Sequence, residues 1–524
     1  MISRLLPAVL CFLVLQPLSA QTSDAPADAS PVSTPSKPDT VTAPSAPIAP
    51  SAPAAPAKEM RKSLVRIACT EQDVDYKVPW NPGPVGGGVG AGFVIEGNRI
   101  LTNAHVVSNN RFLTVERQGD PKKYVAYVKY IAHDCDLALI DVENPDFFKG
   151  SSPLTFGGIP EIETVVSAYG FPIGGDLMSV TRGIVSRIDF QPYTHSGIDS
   201  HLAIQIDAPI NPGNSGGPVM QDGKVVGVAF QGYSGDHAQN VAYMIPTPVV
   251  NRFLRDIEDG RYDHYVDLSL NYFKLVNPAQ RAALKLPDDD RGIIVTSVAA
   301  AGSSAGVLQP GDILLSLDDV PIASDGFVQL GNDRIEMMEI VERKFKGDTV
   351  VFQLIRDGKP HTAKVTLKSA WPYLMQANTY DKPPRYVLFA GLLFQPINRD
   401  FMTAVPIDDL RTRYFYNSYI TEELYVLHPD LVVLSNILPD PVNTYLGEFR
   451  GHIVESINGK PIKVLDDLAS ALSEKQDTYV IQFLGGGRPA VLERSVVEAA
   501  RTRILDRYNV TKEQNLANPV VPSK

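Results

Sequence analysis

With 524 residues, 44% hydrophobic and 20% charged, the chain is long enough for about three domains and has a globular composition, which excludes wholesale disorder and a membrane-embedded body. Its formal net charge is -11, and no basic stripe interleaved with aromatic residues is present, so nucleic acid is not an expected partner.

Residues 1–20 read as a signal peptide. Arg4 gives a positive start, Leu5 to Leu15 form an apolar run too short to span a bilayer, and Leu18-Ser19-Ala20 offers a cleavage site before Gln21. Export is therefore expected. Cys11 has Leu10 before it where lipid attachment requires a small residue, so it reads as part of the apolar run. Residues 21–58 are Ala, Pro, Ser and Thr almost throughout, a composition that denies both a helix and a core and predicts a disordered linker.

From Met60 to about Ala242 the chain reads as short strands and tight turns, with Phe93-Val94-Ile95 followed by Glu96-Gly97-Asn98 and then Ile100-Leu101-Thr102. The run Gly86-Gly87-Gly88-Val89-Gly90-Ala91 follows a proline-rich segment and not a strand, so it is taken as a flexible connection and not as a dinucleotide loop. His105 comes just after a predicted strand and His133, His195, His201 and His237 share the domain, so residue type alone does not choose a general base. Asp134, Asp136 and Asp141 are candidate acids, and Asp136 opens an apolar strand, where a carboxylate sits at the edge of a core.

The stretch Asn211-Pro212-Gly213-Asn214-Ser215-Gly216-Gly217-Pro218 places a serine where neither glycine nor proline permits a helix interior. Flanking glycines let backbone N–H groups converge on an oxyanion. An esterase-type elbow needs a helix after the serine and both partners downstream; here strand, turn and strand follow, and His237 comes too soon. The partners of Ser215 are therefore sought upstream. Cys69 and Cys135 remain after the signal peptide, and spacing alone leaves a disulfide and two buried thiols equally open.

Beyond Leu254 the pattern becomes mixed α and β, and a repeat is visible. Gly311 to Ile322 aligns with Gly451 to Ile462, matching at Gly, Ile, Ser, Pro and Ile. A helix with Ile335, Met338 and Phe345 on one side is expected in the first copy, and one with Leu465, Leu468, Ala469 and Leu472 in the second.

Thr102-Asn103-Ala104-His105, Asp136-Leu137-Ala138-Leu139-Ile140 and Gly213-Asn214-Ser215-Gly216-Gly217-Pro218 stand in the order of the three signatures of the HtrA/Deg family of chymotrypsin-fold serine proteases. Over residues 60 to about 500 the chain resembles that family, and its plant Deg members in particular. The repeat resembles PDZ domains. The implied fold is multidomain: an all-β double-barrel chymotrypsin-like protease domain over 59–258, then mixed α/β PDZ-like domains over 262–370 and 371–505. The second carries an insertion at about 397–430, rich in aromatics such as Phe401, Tyr414, Phe415 and Tyr419, and 506–524 form a tail.

The resemblance implies that His105 is the general base toward Ser215, that Asp136 fixes its tautomer, and that the N–H groups of Gly213 and Ser215 receive the oxyanion. It implies no metal and no other cofactor. Where a trypsin-like enzyme has a pocket aspartate this chain has Pro209, so Ile210 and Phe230 are the expected walls of a pocket for a small apolar P1 residue. Leu268-Ser269-Leu270 stands where the first PDZ copy would hold a peptide carboxylate, with serine replacing glycine. The second copy keeps the glycine in Ala390-Gly391-Leu392, but Pro396 falls on the strand that should receive the peptide. The first copy is therefore the expected peptide binder and the second an assembly module.

The resulting expectation is an ATP-independent endopeptidase for unfolded or misfolded proteins, binding peptide C-termini, in the periplasm or cell envelope of a bacterium. The family further implies a homo-oligomer, a trimer or a multiple of it. The alternative is a PDZ-based holdase or scaffold in which proteolysis is minor; the presence of all three of His105, Asp136 and Ser215 favours the protease.

Overall fold

The computed structural model describes residues 60–172, 177–235, 238–331, 333–369 and 375–516. The signal-peptide and linker readings, His237 and the last residues of the tail lie outside them. Among the described residues no helix is long and apolar enough to cross a membrane.

Twelve strands form two closed barrels. The first contains β1 (Leu64–Val74), β2 (Pro82–Ile95), β3 (Arg99–Thr102), β4 (Asn110–Arg117), β5 (Asp120–Ala132) and β6 (Leu137–Val142), in the order β1-β2-β3-β6-β5-β4. A short helix, α1 (Ala104–Val107), follows β3. The second contains β7 (Val165–Gly170), β8 (Ser179–Pro192), β9 (Ser200–Ile206), β10 (Pro218–Gln221), β11 (Lys224–Gly235) and β12 (Ala238–Pro246), in the order β10-β11-β12-β9-β8-β7. Closure leaves no free edge, and alternation along each strand fills the interiors: Val65, Ile67 and Cys69 are buried in the first barrel, Ile204 and Ile206 in the second. A third cluster, with Phe93, Leu101, Phe171, Phe230 and Tyr243, joins the barrels.

The glycine run 86–91 is not a flexible connection. It lies inside β2, with Gly88 opposite Cys69 and Gly87 opposite Thr70 on β1. Glycine is required there by close approach: a Cβ on Gly90 would stand 2.5 Å from a methyl carbon of Val106, on α1. Cys69 and Cys135 are both free and buried in different clusters, so no disulfide joins them. Burial, then the charges of Glu71 and Asp381, push the Cys69 thiol up to about 12, and burial pushes Cys135 well up, so both behave as small hydrophobes.

After helix α2 (Thr247–Asp256) come the two repeated modules. Their shared motif is one hairpin built twice: Ser316 pairs with Pro321 and Leu317 with Val320 in the first, Ser456 with Pro461 and Ile457 with Lys460 in the second. Asp318-Asp319 and Asn458-Gly459 all take positive φ, the backbone of a type I′ turn. The expected helices differ in outcome. Leu465–Ser473 is helical with Leu465, Leu468 and Leu472 buried. In the first module Ile335 instead belongs to a hairpin of Phe327–Leu330 with Asp333–Glu336, and of the stretch from Ile335 to Phe345 only Met338–Glu342 is an α-helix.

The modules also differ where a peptide would add. In the first, Val266–Asp267 pairs with Lys368–Ser369, leaving strand Leu270–Lys274 at the edge of its sheet. In the second, Ala390 and Gly391 both have positive φ and fold strand Tyr386–Phe389 back onto Leu392–Pro396, whose other side pairs with Val432–Ile437. The segment with the retained glycine is thus a hairpin turn, and the strand after it has no free edge.

Both modules dock on the barrels. The buried Arg252 guanidinium on α2 lies 3.9 Å over the Tyr265 ring and donates to the carbonyls of Glu342 and His264. The aromatic insertion folds into helices Arg399–Ala404 and Leu410–Ser418, and Phe401 packs edge-on against Tyr76, just past β1.

Candidate active site

His105 is carried by α1, which starts where β3 ends at the rim of the first barrel. Asp136 sits immediately before β6 with φ of 53°, a left-handed conformation that aspartate tolerates better than most residues. That turn brings its buried carboxylate under α1. Oδ1 accepts the His105 backbone N–H at 2.9 Å and Oδ2 lies 2.7 Å from Nδ1. The Asn103 amide donates to the Asp136 carbonyl at 2.8 Å, fixing the turn to the loop before α1.

The electrostatics follow from this contact. Burial works against a charged imidazole at His105, but the Asp136 charge and hydrogen bond outweigh it and hold the group above its ordinary value. Burial would likewise raise the Asp136 carboxyl, yet the neighbouring His105 and His195 and the two hydrogen bonds from His105 hold it below the usual carboxylate range. Asp136 therefore stays ionised and accepts the Nδ1 proton, which leaves Nε2 of a neutral His105 with a free lone pair.

Ser215 comes from the second barrel, in the turn before β10. Its carbonyl accepts from Ala91 N–H on β2 at 2.8 Å, tying the turn to the first barrel. Gly213 has φ of 100°, and its carbonyl accepts from Phe171 N–H at 2.9 Å; a Cβ there would lie 2.2 Å from the Phe171 carbonyl oxygen. Among the described residues the N–H groups of Gly213 and Ser215 donate to no protein acceptor. The Ser215 hydroxyl points to the Phe230 carbonyl at 3.5 Å, and among the described residues no hydrogen bond joins it to His105. Such looseness is ordinary in a site without substrate.

His105, Gly213, Ser215, Ile210 and Phe230 line one cleft of about 580 Å³. Val89, Val106, Val241 and Ala242 complete its apolar wall, residues that no local motif marks. Leu268 and Ser269 lie elsewhere, buried where Ser304 N–H donates to the Leu268 carbonyl and Ala299 N–H to that of Ser269, while Leu270 opens the edge strand of the first module. Of the other candidates, His195 lies beside the pair, its ring 6.1 Å from that of His105, and His133, His201, Asp134 and Asp141 have partners elsewhere. His201 pairs with Glu342 at 2.8 Å, His133 with Asp381 at 2.9 Å, and Asp134 accepts Tyr262 Oη and Tyr265 N–H. Asp141 pairs with Lys129. Among the described residues no group of three or more His, Cys, Asp or Glu is arranged to hold a metal.

A trypsin-like peptidase domain model matches residues 90–228, and PDZ domain models match 276–367 and 375–515. Protease Do-like 2, chloroplastic, of Arabidopsis thaliana is 36% identical over 462 residues, covering 86% of this chain and 74% of the relative. Protease Do-like 4, mitochondrial, of the same plant is 34% identical over 434 residues, covering 82% and 80%. Among solved structures, the HtrA-type protease AlgW with decapeptide is 23% identical, covers 60% of this chain and 97% of that one, and superposes with a TM-score of 0.46. The names of the plant relatives place them in the chloroplast and the mitochondrion, which overturns the expectation of a bacterial periplasm or cell envelope. Two barrels carrying His105, Asp136 and Ser215, two PDZ modules behind them, and relatives matched over most of their length lead to one conclusion: the chain belongs to the HtrA/Deg family of PDZ-containing serine proteases.

Proposed function

We propose that the chain cleaves unfolded or misfolded proteins through an acyl-enzyme on Ser215. His105 Nε2 takes the hydroxyl proton as Oγ attacks the peptide carbonyl and returns it to the leaving amine, while Asp136 holds the Nδ1 tautomer. The N–H groups of Gly213 and Ser215 receive the oxyanion, and no ATP or metal enters the scheme. Ile210, Phe230 and Val241 suit a small apolar P1 side chain. The observation that carries this reading is the buried Asp136 at 2.7 Å from Nδ1 of His105, whose ring lines a cleft shared with Ser215 and Gly213.

The first PDZ module, with its edge strand unpaired on one side, is the site for peptide C-termini. The second, with both edges of Leu392–Pro396 occupied, serves packing and assembly. The working form is a homo-oligomer, a trimer or a multiple of it, and residues 1–20 are a cleaved targeting segment. Casein and a short apolar peptide, offered to the purified chain and to Ser215→Ala, test the central part. Loss on the order of a millionfold with unchanged fold is expected, and casein hydrolysis by a clean Ser215→Ala sample would refute the assignment. Light scattering tests the assembly, where a monomer at micromolar concentration would refute it.

A further inference from the structure

One residue far away in the chain, Asp381, bonds to two segments that flank His105. The helix that carries His105, α1, is only four residues long and lacks interior turns to fix it. Asp136 pins its start. Just past its end, Asp381 accepts the Asn109 N–H on Oδ1 at 2.5 Å and gives its own N–H to Asn109 Oδ1 at 2.7 Å. The other carboxylate oxygen of Asp381 lies 2.9 Å from His133 Nε2, and His133 Nδ1 lies 2.9 Å from His195 Nε2. The His195 ring stands 6.1 Å from the ring of His105.

With one proton on His133, at Nε2 toward the carboxylate, its Nδ1 accepts from His195 Nε2–H. His195 is 7% exposed, and burial, opposed by the Asp136 charge and aided by those of His133 and His105, brings it down to about 4. It is a neutral ring at physiological pH. Tyr380 stacks on it at 4.1 Å and gives its hydroxyl to the His195 carbonyl at 2.9 Å, a carbonyl that also receives the Asn378 amide. Asn378, Tyr380 and Asp381 all belong to the opening stretch of the second PDZ module, ahead of its strand Tyr386–Phe389. The charged groups facing His195 are thus Asp136, His105 and His133 from the barrel and Asp381 from this segment.

We propose that His195 is a positioning residue for the His105–Asp136 pair, and that Asp381 sets that position by holding both His133 and the turn after α1. The opening stretch of the second PDZ module then controls kcat without touching substrate. A displaced imidazole loses the line from Nε2 to the serine oxygen, and displacements near 1 Å cost about 100-fold in such sites. The proposal rests on His105 as the base for Ser215.

The test uses the full chain and a short apolar peptide. Asp381→Ala is expected to lower kcat ~10-fold or more, to leave KM within about twofold, and to shift the acid limb of the pH profile. Asp381→Asn keeps an acceptor for Asn109 N–H and should recover most of the rate. His195→Phe keeps the stack on Tyr380 but not the bond to His133, and should lower kcat without compounding the Asp381→Ala loss in the double variant. If Asp381→Ala does not fold, His195→Phe and Tyr380→Ala carry the same test. Wild-type kcat and an unmoved acid limb in His195→Phe, or losses that multiply fully in the double variant, would overturn the proposal. An inactive wild-type chain would remove the reading beneath it, and the proposal with it.

Discussion

Asp134 and Asp136 stand two positions apart and do different work. Asp134 faces Tyr262 and Tyr265, with its carboxyl held low against burial by His264 and Tyr262 and by the charge of His201, whereas Asp136 faces His105. Asp136→Asn should lower kcat by about 10³–10⁴, because a carboxamide favours the wrong imidazole tautomer. Asp134→Asn should cost about 1–3 kcal/mol of stability with kcat little changed. The reverse ranking would refute the choice of acid. The pH profile gives a second readout. His105 must be neutral to act as base and its pKa is raised, so kcat/KM should climb through a limb above the ordinary value near 6.5. Removing the Asp136 charge should move that limb down; a limb unmoved in Asp136→Asn would contradict the electrostatic account.

At the scale of elements, Gly90 shows how closely β2 and α1 approach. Gly90→Ala must displace Val106, the neighbour of His105, and should reduce kcat ~10-fold or more with only a few degrees lost in Tm. Full activity in that variant would show that α1 tolerates movement. Much of the fold was legible because its signals are local. The three protease signatures and the Gly451 to Ile462 repeat are read from short stretches, and the i, i+3, i+7 spacing of Leu465, Leu468 and Leu472 gives a true helix. Ile335 and Met338 share its i, i+3 step, yet tertiary pairing with Val328 makes Ile335 part of a strand, a choice that periodicity over one turn does not decide. The glycines of the 86–91 run read as a loop because their ladder partners lie far back on β1, from Glu71 opposite Gly86 to Ile67 opposite Gly90. The closed edge of the second PDZ module and the contact of His133 with Asp381 depend on pairings that no local pattern encodes.

Across the whole molecule, the barrels and the first PDZ module meet at buried charge. Burial opposes protonation of His201, but the Glu342 charge and hydrogen bond raise it to about 9. A raised histidine contributes stability that is fully present below about 6.5 and is lost as pH rises through about 9. Tm of His201→Gln should therefore fall below that of the parent by the equivalent of about 2 kcal/mol near pH 6 and converge with it near pH 10. A constant difference would rule out the ion pair as its source. A chain ending at Asp259 keeps His105, Asp136 and Ser215 but loses Glu342 and Asp381, so it should cut a short peptide with kcat reduced ~10-fold or more and lose most activity on casein. Equal activity of the short and full chains on both substrates would leave the PDZ modules as assembly parts.

Intact-mass and peptide-mapping analysis after reaction with a fluorophosphonate probes the central claim most directly, since only a serine activated by its own base is phosphonylated at neutral pH. The account predicts one adduct per chain, on Ser215, formed at a rate that rises with pH through the His105 limb and drops on the order of a thousandfold or more in His105→Ala. An adduct on another residue, or an undiminished rate on Ser215 in His105→Ala, would contradict it.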